Sequence, residues 1–209
     1  MPGAGWLWGG EGWTLVLRVF LFGRRGSGKS TVAQFLAGCT GARVYKVSGP
    51  LYWVAEELFG MEGKDRRLLQ ALGDKFREID PDCLLRCLSA ALERDRPRVA
   101  VVEDVRLPRE AEWLRRMGFA GVLVRAPEPV RLARLAERGE DVSGEEEGHA
   151  TEAGVEAIVP EYVLENAGTL KDLRNAVRAL VGEMVYWQVA SRERAVVLAG
   201  LREERALVC

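Results

Sequence analysis

The apolar and polar residues of the chain follow two alternating patterns. Short apolar runs of strand length are separated by longer stretches in which apolar residues recur every three or four positions, as in helices that pack on one face. The short runs predict five strands, at 14–22, 43–47, 98–103, 121–125 and 162–164. Strands that alternate with helices form a parallel sheet covered by helices, so we expect an α/β fold with a five-stranded parallel sheet.

The longer stretches predict helices at 28–38, 51–59, 65–79, 82–94, 109–117 and 129–137, and from 169 to near the C-terminus. We interpret 14–182 as one domain, with a helical lobe at about 49–95 and a helical extension at 183–209. The segment 138–154 is rich in glycine and contains an acidic run, so no rigid element is expected there. It is either a solvated loop or, with the helix before it from about 131, a lid.

A glycine-rich sequence lies between the first predicted strand and the first predicted helix, and it reads G-R-R-G-S-G-K-S at 23–30. It matches the pattern of a phosphate-binding loop (P-loop), and its strand and helix neighbours are the context that this loop requires. In such loops the backbone N–H groups and the helix dipole bind phosphate, the lysine reaches the β- and γ-phosphates, and the serine ligates Mg²⁺. We therefore expect ATP and Mg²⁺ as cofactors, with Ser30 on the metal. The residues expected to contact ATP are Gly23, Gly26, Ser27, Gly28, Lys29, Ser30 and Thr31.

Charged residues follow the strand predicted at 98–103. Asp104 and Arg106 come at its carboxyl end, where ligands of open α/β sheets bind. Because side chains alternate along a strand, Asp104 and Arg106 are expected to share one face, with Glu103 pointing away from the site. Asp104 then holds Mg²⁺ or the acceptor, and Arg106 neutralises a transferring phosphoryl group. The alternative is an ion pair on the surface.

Composition and charge narrow the possible partners. The net charge is −1, so no bulk attraction draws the chain to a nucleic acid polymer or an anionic membrane, and phosphate binding must be local. The strongest apolar run, 16–22, contains Arg18 and is too short to span a membrane, so we expect a cytoplasmic protein. The four cysteines and one histidine show no zinc-binding spacing.

Three further blocks occur with the P-loop in one order along the chain. They are R-L-L-Q-A-L-G at 67–73 with Arg77 following, D-V-R-L-P-R-E-A at 104–111, and H-A-T-E at 149–152 with N-A-G-T-L at 166–170. In this order the sequence resembles the bacteriophage-type deoxynucleoside monophosphate kinases over roughly residues 15–180. A match to any one block is weak evidence for this family, but the P-loop and the three blocks in the same order are specific to it.

The resemblance implies a P-loop kinase core with an acceptor lobe and a lid, and phosphate transfer from ATP to a deoxynucleoside monophosphate with Mg²⁺. It implies that Arg77 and Arg106 bind the acceptor phosphate, that Gln70 contacts the acceptor nucleoside, and that Glu152 binds substrate. The chain departs from the family pattern at Asp74 and Lys75 and at Glu161, which leaves base preference and lid geometry open.

Three arginines, Arg131, Arg134 and Arg138, have the spacing of one helix face ahead of the loose segment. As lid arginines, Arg134 and Arg138 would contact the triphosphate, and Arg134 would shield the charge that develops during transfer. The alternative is a solvated basic face.

Two other functions share these features. A kinase like the animal phosphomevalonate kinase has a P-loop, an Asp-x-Arg strand end and a lid glutamate, and a non-catalytic P-loop regulator would bind ATP and change shape for a partner. The block at 67–73 favours a nucleotide acceptor, and the paired arginines favour catalysis. Apolar residues beyond Met184 either pack on the core or form a homodimer interface.

Overall fold

The computed structural model describes residues 4–9, 12–140 and 154–187, with side chains from Val16 onward. Its sheet contains six strands within these residues, and the parallel ones follow the order β3-β4-β2-β5-β6. The strands are β1 (Ala4–Gly9), β2 (Gly12–Phe22), β3 (Arg43–Tyr45), β4 (Val99–Val102), β5 (Ala120–Arg125) and β6 (Tyr162–Glu165). The predicted five-stranded parallel sheet is therefore confirmed.

Strand β1 was not predicted from the sequence. It pairs antiparallel with the first half of β2, from Ala4 opposite Leu17 to Gly9 opposite Gly12. The parallel neighbours of β2 begin only at Leu17, so the hairpin extends from the amino end of the central strand. The glycines of β1 lower its strand propensity, and its pairing with β2 compensates for this.

Helices cover both faces of the sheet, as predicted. They are α1 (Lys29–Thr40), α2 (Gly49–Phe59), α3 (Arg66–Ile79), α4 (Cys83–Asp95), α5 (Pro108–Arg116), α6 (Glu128–Glu137) and α7, which is described over 170–187. A helical turn also lies at 154–156. No helix in the described part of the chain is long and apolar enough to cross a membrane.

The two faces of the sheet have separate hydrophobic cores. One core joins Val19 and Val101 of the sheet to α1 and α7, and Met184 of α7 is buried in it. The predicted extension therefore packs on the core as far as Met184, while residues 188–209 lie outside the described residues. The other core joins Phe20 and Val102 to α2, α3, α4 and α5. The helices of the predicted lobe thus lie on one face and α1, which follows the P-loop, lies on the other.

Parallel strands bring the carboxyl ends of β2, β4, β5 and β6 to one edge of the sheet. The P-loop follows β2, the Glu103–Arg106 segment follows β4, and Asn166 follows β6. Segments that are far apart in sequence therefore meet at the edge where ligands of this fold class bind.

Truncating Phe20 should strongly destabilise the fold. Its side chain is fully buried near the carboxyl end of β2, whereas that of Phe59 is 58% exposed. Phe20→Ala should lower the free energy of unfolding by about 3–5 kcal/mol, because it leaves a cavity in the core. Phe59→Ala should change it by about 0.5 kcal/mol or less. Urea unfolding followed by circular dichroism measures both, and equal losses would contradict the assigned core.

Candidate functional site

The P-loop turns sharply between β2 and α1. Gly26 and Gly28 have φ angles of +78° and +98°, which side chains rarely adopt. Both are also closely packed, because a Cβ on Gly26 would lie 2.7 Å from the carbonyl oxygen of Arg131, and one on Gly28 would collide with Nδ2 of Asn166. The loop therefore requires glycine at these positions for conformation and for space.

Two buried side chains form hydrogen bonds with the backbone of the P-loop. Nδ2 of Asn166 donates to the carbonyl oxygen of Ser27 at 2.7 Å, and Nη1 of Arg131 donates to that of Arg25 at 3.0 Å. Asn166 is 5% exposed and Arg131 is 3% exposed. Because these bonds satisfy carbonyl oxygens, they fix the shape of the loop without using its N–H groups, of which that of Ser27 donates to the carbonyl oxygen of Arg24 at 3.2 Å.

The loop suits a phosphate ligand. Ser27 Oγ is buried and has no hydrogen-bond partner among the described residues. The loop therefore contains a polar atom with which a ligand can form a hydrogen bond. Nζ of Lys29 bends back over the loop and donates to the carbonyl oxygens of Gly23 at 2.6 Å and Arg24 at 3.1 Å. Lys29, Ser30 and Thr31 also line the adjacent cavity. These residues fit the phosphates of a nucleotide at the positive end of α1.

A cavity of about 280 Å³ extends from the loop to α2 and α3. Among the described residues, its lining contains eight basic and five acidic side chains, although the whole chain has a net charge of −1. The basic residues are Arg25, Lys29, Lys46, Lys64, Arg66, Arg77, Arg106 and Arg138, and the acidic ones are Asp74, Glu103, Asp104, Glu110 and Glu140. Positive charge is therefore concentrated here, as expected for a site that binds anions.

Asp104 lines the cavity but is already engaged by the turn into α2. One carboxylate oxygen accepts from the backbone N–H of Val47 at 2.7 Å, and the other accepts from the N–H of Ser48 at 3.0 Å and from the Ser48 hydroxyl. Asp104 thus fixes the start of the helix that forms one wall of the cavity.

The expectation that Glu103 points away from the site is wrong. Alternation does hold along β4, since Val101 and Val102 belong to opposite cores. However, the cavity spans the end of the sheet, and Glu103 lines it together with Asp104. Glu103 is 7% exposed and forms an ion pair with Nζ of Lys46 at 3.0 Å. By alternation it belongs to the face covered by α1, the helix that carries Ser30.

Arg77 and Arg106, the predicted acceptor residues, both line the cavity. Nη2 of Arg77 lies 3.7 Å from a carboxylate oxygen of Glu110, whose other oxygen accepts from the N–H groups of Arg106 and Leu107 at 2.9 and 3.1 Å. Burial raises the pKa of the Glu110 carboxyl, while these N–H groups and Arg77 act in the opposite direction. Glu110 therefore links the turn that carries Arg106 to Arg77 on α3.

The far wall of the cavity combines apolar and polar groups. Gln70, the residue expected to contact the nucleoside, lines the cavity together with Leu51, Leu69 and Tyr52. Burial raises the pKa of the Tyr52 phenol, so its hydroxyl stays neutral at physiological pH. Such a wall suits a flat ring with a few polar edge atoms.

The three arginines predicted for the lid have different contacts. Arg131 supports the P-loop, and Nη2 of Arg134 donates to Oδ1 of Asn166 at 3.2 Å. Nη1 of Arg134 is buried without a hydrogen-bond partner among the described residues. Only Arg138 of the three lines the cavity. Glu152, predicted to bind substrate, lies outside the described residues.

Residues that could hold Mg²⁺ are few. In the described part of the chain no three His, Cys, Asp or Glu side chains are grouped as metal ligands. A hydroxyl on α1, Ser30, and the carboxylates of Glu103 and Asp104 do line the same cavity. This set suits Mg²⁺ that is bound mainly through nucleotide phosphates.

Several site residues were missed from the sequence. Asn166 could have been found from the sequence, because it directly follows β6 at the edge of the sheet where ligands bind. Lys46 and Glu140 could not, because their place in the site depends on ion pairs with residues that are distant in sequence.

The fold and loop define the class of protein as a P-loop nucleotide-binding protein. A family model described as "AAA domain" matches residues 19–153, which is more than half of the chain. The chain therefore belongs to this AAA domain family.

Solved structures agree with this assignment at the level of fold. The chain is similar to the Thermus thermophilus protein TT1252, with 26% identity and a TM-score of 0.55 over 80% of this chain and 97% of the other. It is also similar to a shikimate kinase from Acinetobacter baumannii, with 14% identity and a TM-score of 0.51 over 82% and 94% of the two chains. A search of curated protein sequences gave no significant match.

Asn166→Asp should weaken both the fold and nucleotide binding. The substitution removes the N–H donor to the buried carbonyl of Ser27 and places a carboxylate against it. The cost should be about 1–3 kcal/mol of unfolding free energy, together with weaker binding of an ATP analogue. Asn175→Asp makes the same change at an exposed position of α7 and is the control. Thermal unfolding and calorimetric titration test this, and equal behaviour of the two variants would exclude the support role of Asn166.

Proposed function

We propose that this protein is an ATP-dependent kinase that transfers the γ-phosphate of ATP to a deoxynucleoside monophosphate, giving a deoxynucleoside diphosphate and ADP. The observation that carries the proposal is one continuous cavity, with the P-loop residues Lys29 and Ser30 in its lining together with Gln70, Arg77 and Arg106. The residues proposed to bind ATP and those proposed to bind the acceptor thus line the same cavity. The sequence resemblance to deoxynucleoside monophosphate kinases supplies the nature of the acceptor.

On the donor side, the N–H groups of the P-loop and the positive end of α1 bind the β- and γ-phosphates. Lys29 now donates to carbonyl oxygens of its own loop, and these bonds are exchanged for phosphate oxygens when ATP binds. Arg134 is proposed to direct Nη1, which is buried, to the transferring group, and Arg138 to contact ATP from the residue after α6.

Ser30, Asp104 and Glu103 are proposed to hold Mg²⁺, either directly or through its water ligands. When bound, the metal would supply positive charge that offsets the negative charge of the triphosphate. Both oxygens of Asp104 already accept hydrogen bonds from the turn into α2, whereas the carboxylate of Glu103 is paired, within the described part of the chain, with Lys46. Glu103 is therefore the stronger candidate of the two carboxylates.

On the acceptor side, Arg77 and Arg106 bind the monophosphate, and Gln70 and Tyr52 contact the nucleoside. An oxygen of the acceptor phosphate attacks the γ-phosphorus, and the bond from that phosphorus to the β,γ-bridging oxygen breaks, so that ADP leaves. Such a transfer depends on positioning and charge stabilisation more than on a strong base. The concentrated positive charge of the cavity suits this requirement.

A panel of acceptors tests the proposal. Purified protein is incubated with ATP, Mg²⁺ and each deoxynucleoside monophosphate, ribonucleoside monophosphate or phosphomevalonate, and ADP release is measured. We expect a deoxynucleotide to be the best acceptor, EDTA to stop the reaction, and Lys29→Ala to lower kcat at least about 100-fold through loss of a preorganised charge. Faster turnover of phosphomevalonate would refute the nucleotide acceptor, and no turnover with any acceptor would favour a regulator.

Arg77→Ala should affect the acceptor more than ATP. If Arg77 binds the phosphate of the monophosphate, the acceptor KM should rise about tenfold or more while the KM for ATP stays within about twofold. Arg67→Ala, on the exposed side of the same helix, is the matched control and should change neither value. Initial-rate kinetics measure both constants, and equal effects on the two substrates would remove Arg77 from the acceptor site.

A further inference from the structure

The nearly buried carboxylate of Glu103 is paired with a lysine that is half exposed. Glu103 follows β4 and its side chain is 9% exposed, whereas that of Lys46, which follows β3, is 49% exposed. Oε1 of Glu103 lies 3.0 Å from Nζ of Lys46. Lys46 is the partner of this carboxylate within the described residues, and both side chains line the cavity. A buried negative charge is thus balanced by a cation that water can reach.

The backbone on both sides of this ion pair is fixed by other contacts. The N–H of Glu103 donates to the carbonyl oxygen of Tyr45 at 3.0 Å, which extends the pairing of β3 with β4. Directly after Lys46, the N–H of Val47 donates to the carboxylate of Asp104 at 2.7 Å. The ammonium of Lys46 can therefore leave Glu103 by rotation of its own side chain, without a change in the backbone or at Asp104.

Little else holds the ammonium of Lys46 in place. Its Nζ lies 5.7 Å from the centre of the Tyr52 ring, and a cation–π contact at a partly exposed position is weak. The lysine stem is flexible, and its ammonium is compact and well hydrated. Departure therefore costs Lys46 little, whereas it would leave the carboxylate of Glu103 as a buried charge without a partner, which is costly. Another cation has to replace the ammonium when it leaves.

A divalent metal ion meets this requirement. Mg²⁺ prefers oxygen ligands such as carboxylates, and its charge is twice that of an ammonium. Ser30, whose hydroxyl is expected to bind the metal, lines the same cavity as Glu103. Asp104 also lines it, but its carboxylate accepts from backbone N–H groups of the turn into α2. Of the two carboxylates, that of Glu103 can thus exchange its described partner without losing a bond to the backbone.

We propose that Lys46 is an internal competitor of Mg²⁺ for the carboxylate of Glu103. Its ammonium pairs with this carboxylate and gives up the place when the metal binds, so that the buried charge always has a partner. This inference deepens the proposed function and rests on it for the identity of the metal. Competition of this kind lowers the apparent affinity for the metal according to the fraction of protein in which the ammonium holds the carboxylate.

Calorimetric titration without turnover tests the competition. The Kd of the β,γ-imido analogue of ATP is measured with Mg²⁺ and with EDTA, and the ratio of the EDTA value to the Mg²⁺ value gives the gain in affinity due to the metal. Lys46→Met removes the ammonium and keeps a side chain of similar shape, so this ratio should rise about three- to tenfold. Lys46→Arg keeps the charge as a fork that binds a carboxylate more tightly, so the ratio should fall.

Two further substitutions identify the carboxylate and control for the loss of charge. Glu103→Gln should lower the ratio, and Lys46→Met should no longer raise it when it is combined with Glu103→Gln. Lys75 forms a similar pair with Glu78 on the exposed face of α3, where its Nζ lies 2.6 Å from Oε2, and it lies outside the described lining of the cavity. Lys75→Met should therefore leave the ratio unchanged.

An unchanged ratio in Lys46→Met would show that Lys46 only supports the fold or binds the nucleotide itself, and it would overturn the proposal. A wild-type ratio near one would overturn it as well. Should Lys46→Met fail to fold, Lys46→Arg decides, because a ratio equal to or above the wild-type value would contradict the competition. A protein that phosphorylates none of the acceptors still gives the ratio, so failure of the proposed function is distinguished from failure of this inference.

Discussion

A phosphate-binding turn must leave its backbone N–H groups uncovered and still keep one shape, and the rest of the site depends on this constraint. Glycine at positions 26 and 28 lets the loop pack closely against Arg131 and Asn166, with which a Cβ would collide. Asn166 and Arg131 then fix the shape of the loop by binding its carbonyl oxygens, from positions 139 and 106 residues away. The loop is therefore shaped by the tertiary fold and not by its own sequence alone.

This dependence explains why the strand order matters for the site. Strand β6 lies beside β5, which pairs with β2, so the residue after β6 reaches the back of the turn after β2. Asn166 then also accepts from Arg134, which joins α6 to the same support. A change at Asn166 affects loop geometry and the position of α6 together. At this edge of the sheet the P-loop and the arginines of α6 are therefore held in place by shared contacts.

The strands, the helices and the P-loop were predictable because each has a local signature of period or motif. The Glu103 prediction failed for a physical reason, since alternation gives the face of a strand but not the width of the cavity at its end. Glu140 was not predictable, because Arg25 and Arg66 lie 115 and 74 residues away in sequence. Strand β1 was not predicted, because its glycines lower the strand propensity of the segment. Local pattern thus predicted the framework, and long-range charge pairing decided the site.

Eight basic side chains lie close together in the described lining of the cavity, and they repel one another. Internal carboxylates reduce this repulsion, but they differ in how firmly they are held. Glu110 is 5% exposed and accepts two backbone N–H groups, so leaving its place would strand buried donors. Glu140 is 21% exposed, and its carboxylate pairs with the side chains of Arg25, Arg66 and Arg138. Carboxylates that accept from backbone N–H groups, such as those of Asp104 and Glu110, therefore fix the shape of the cavity, whereas the carboxylate of Glu140 joins side chains from different segments.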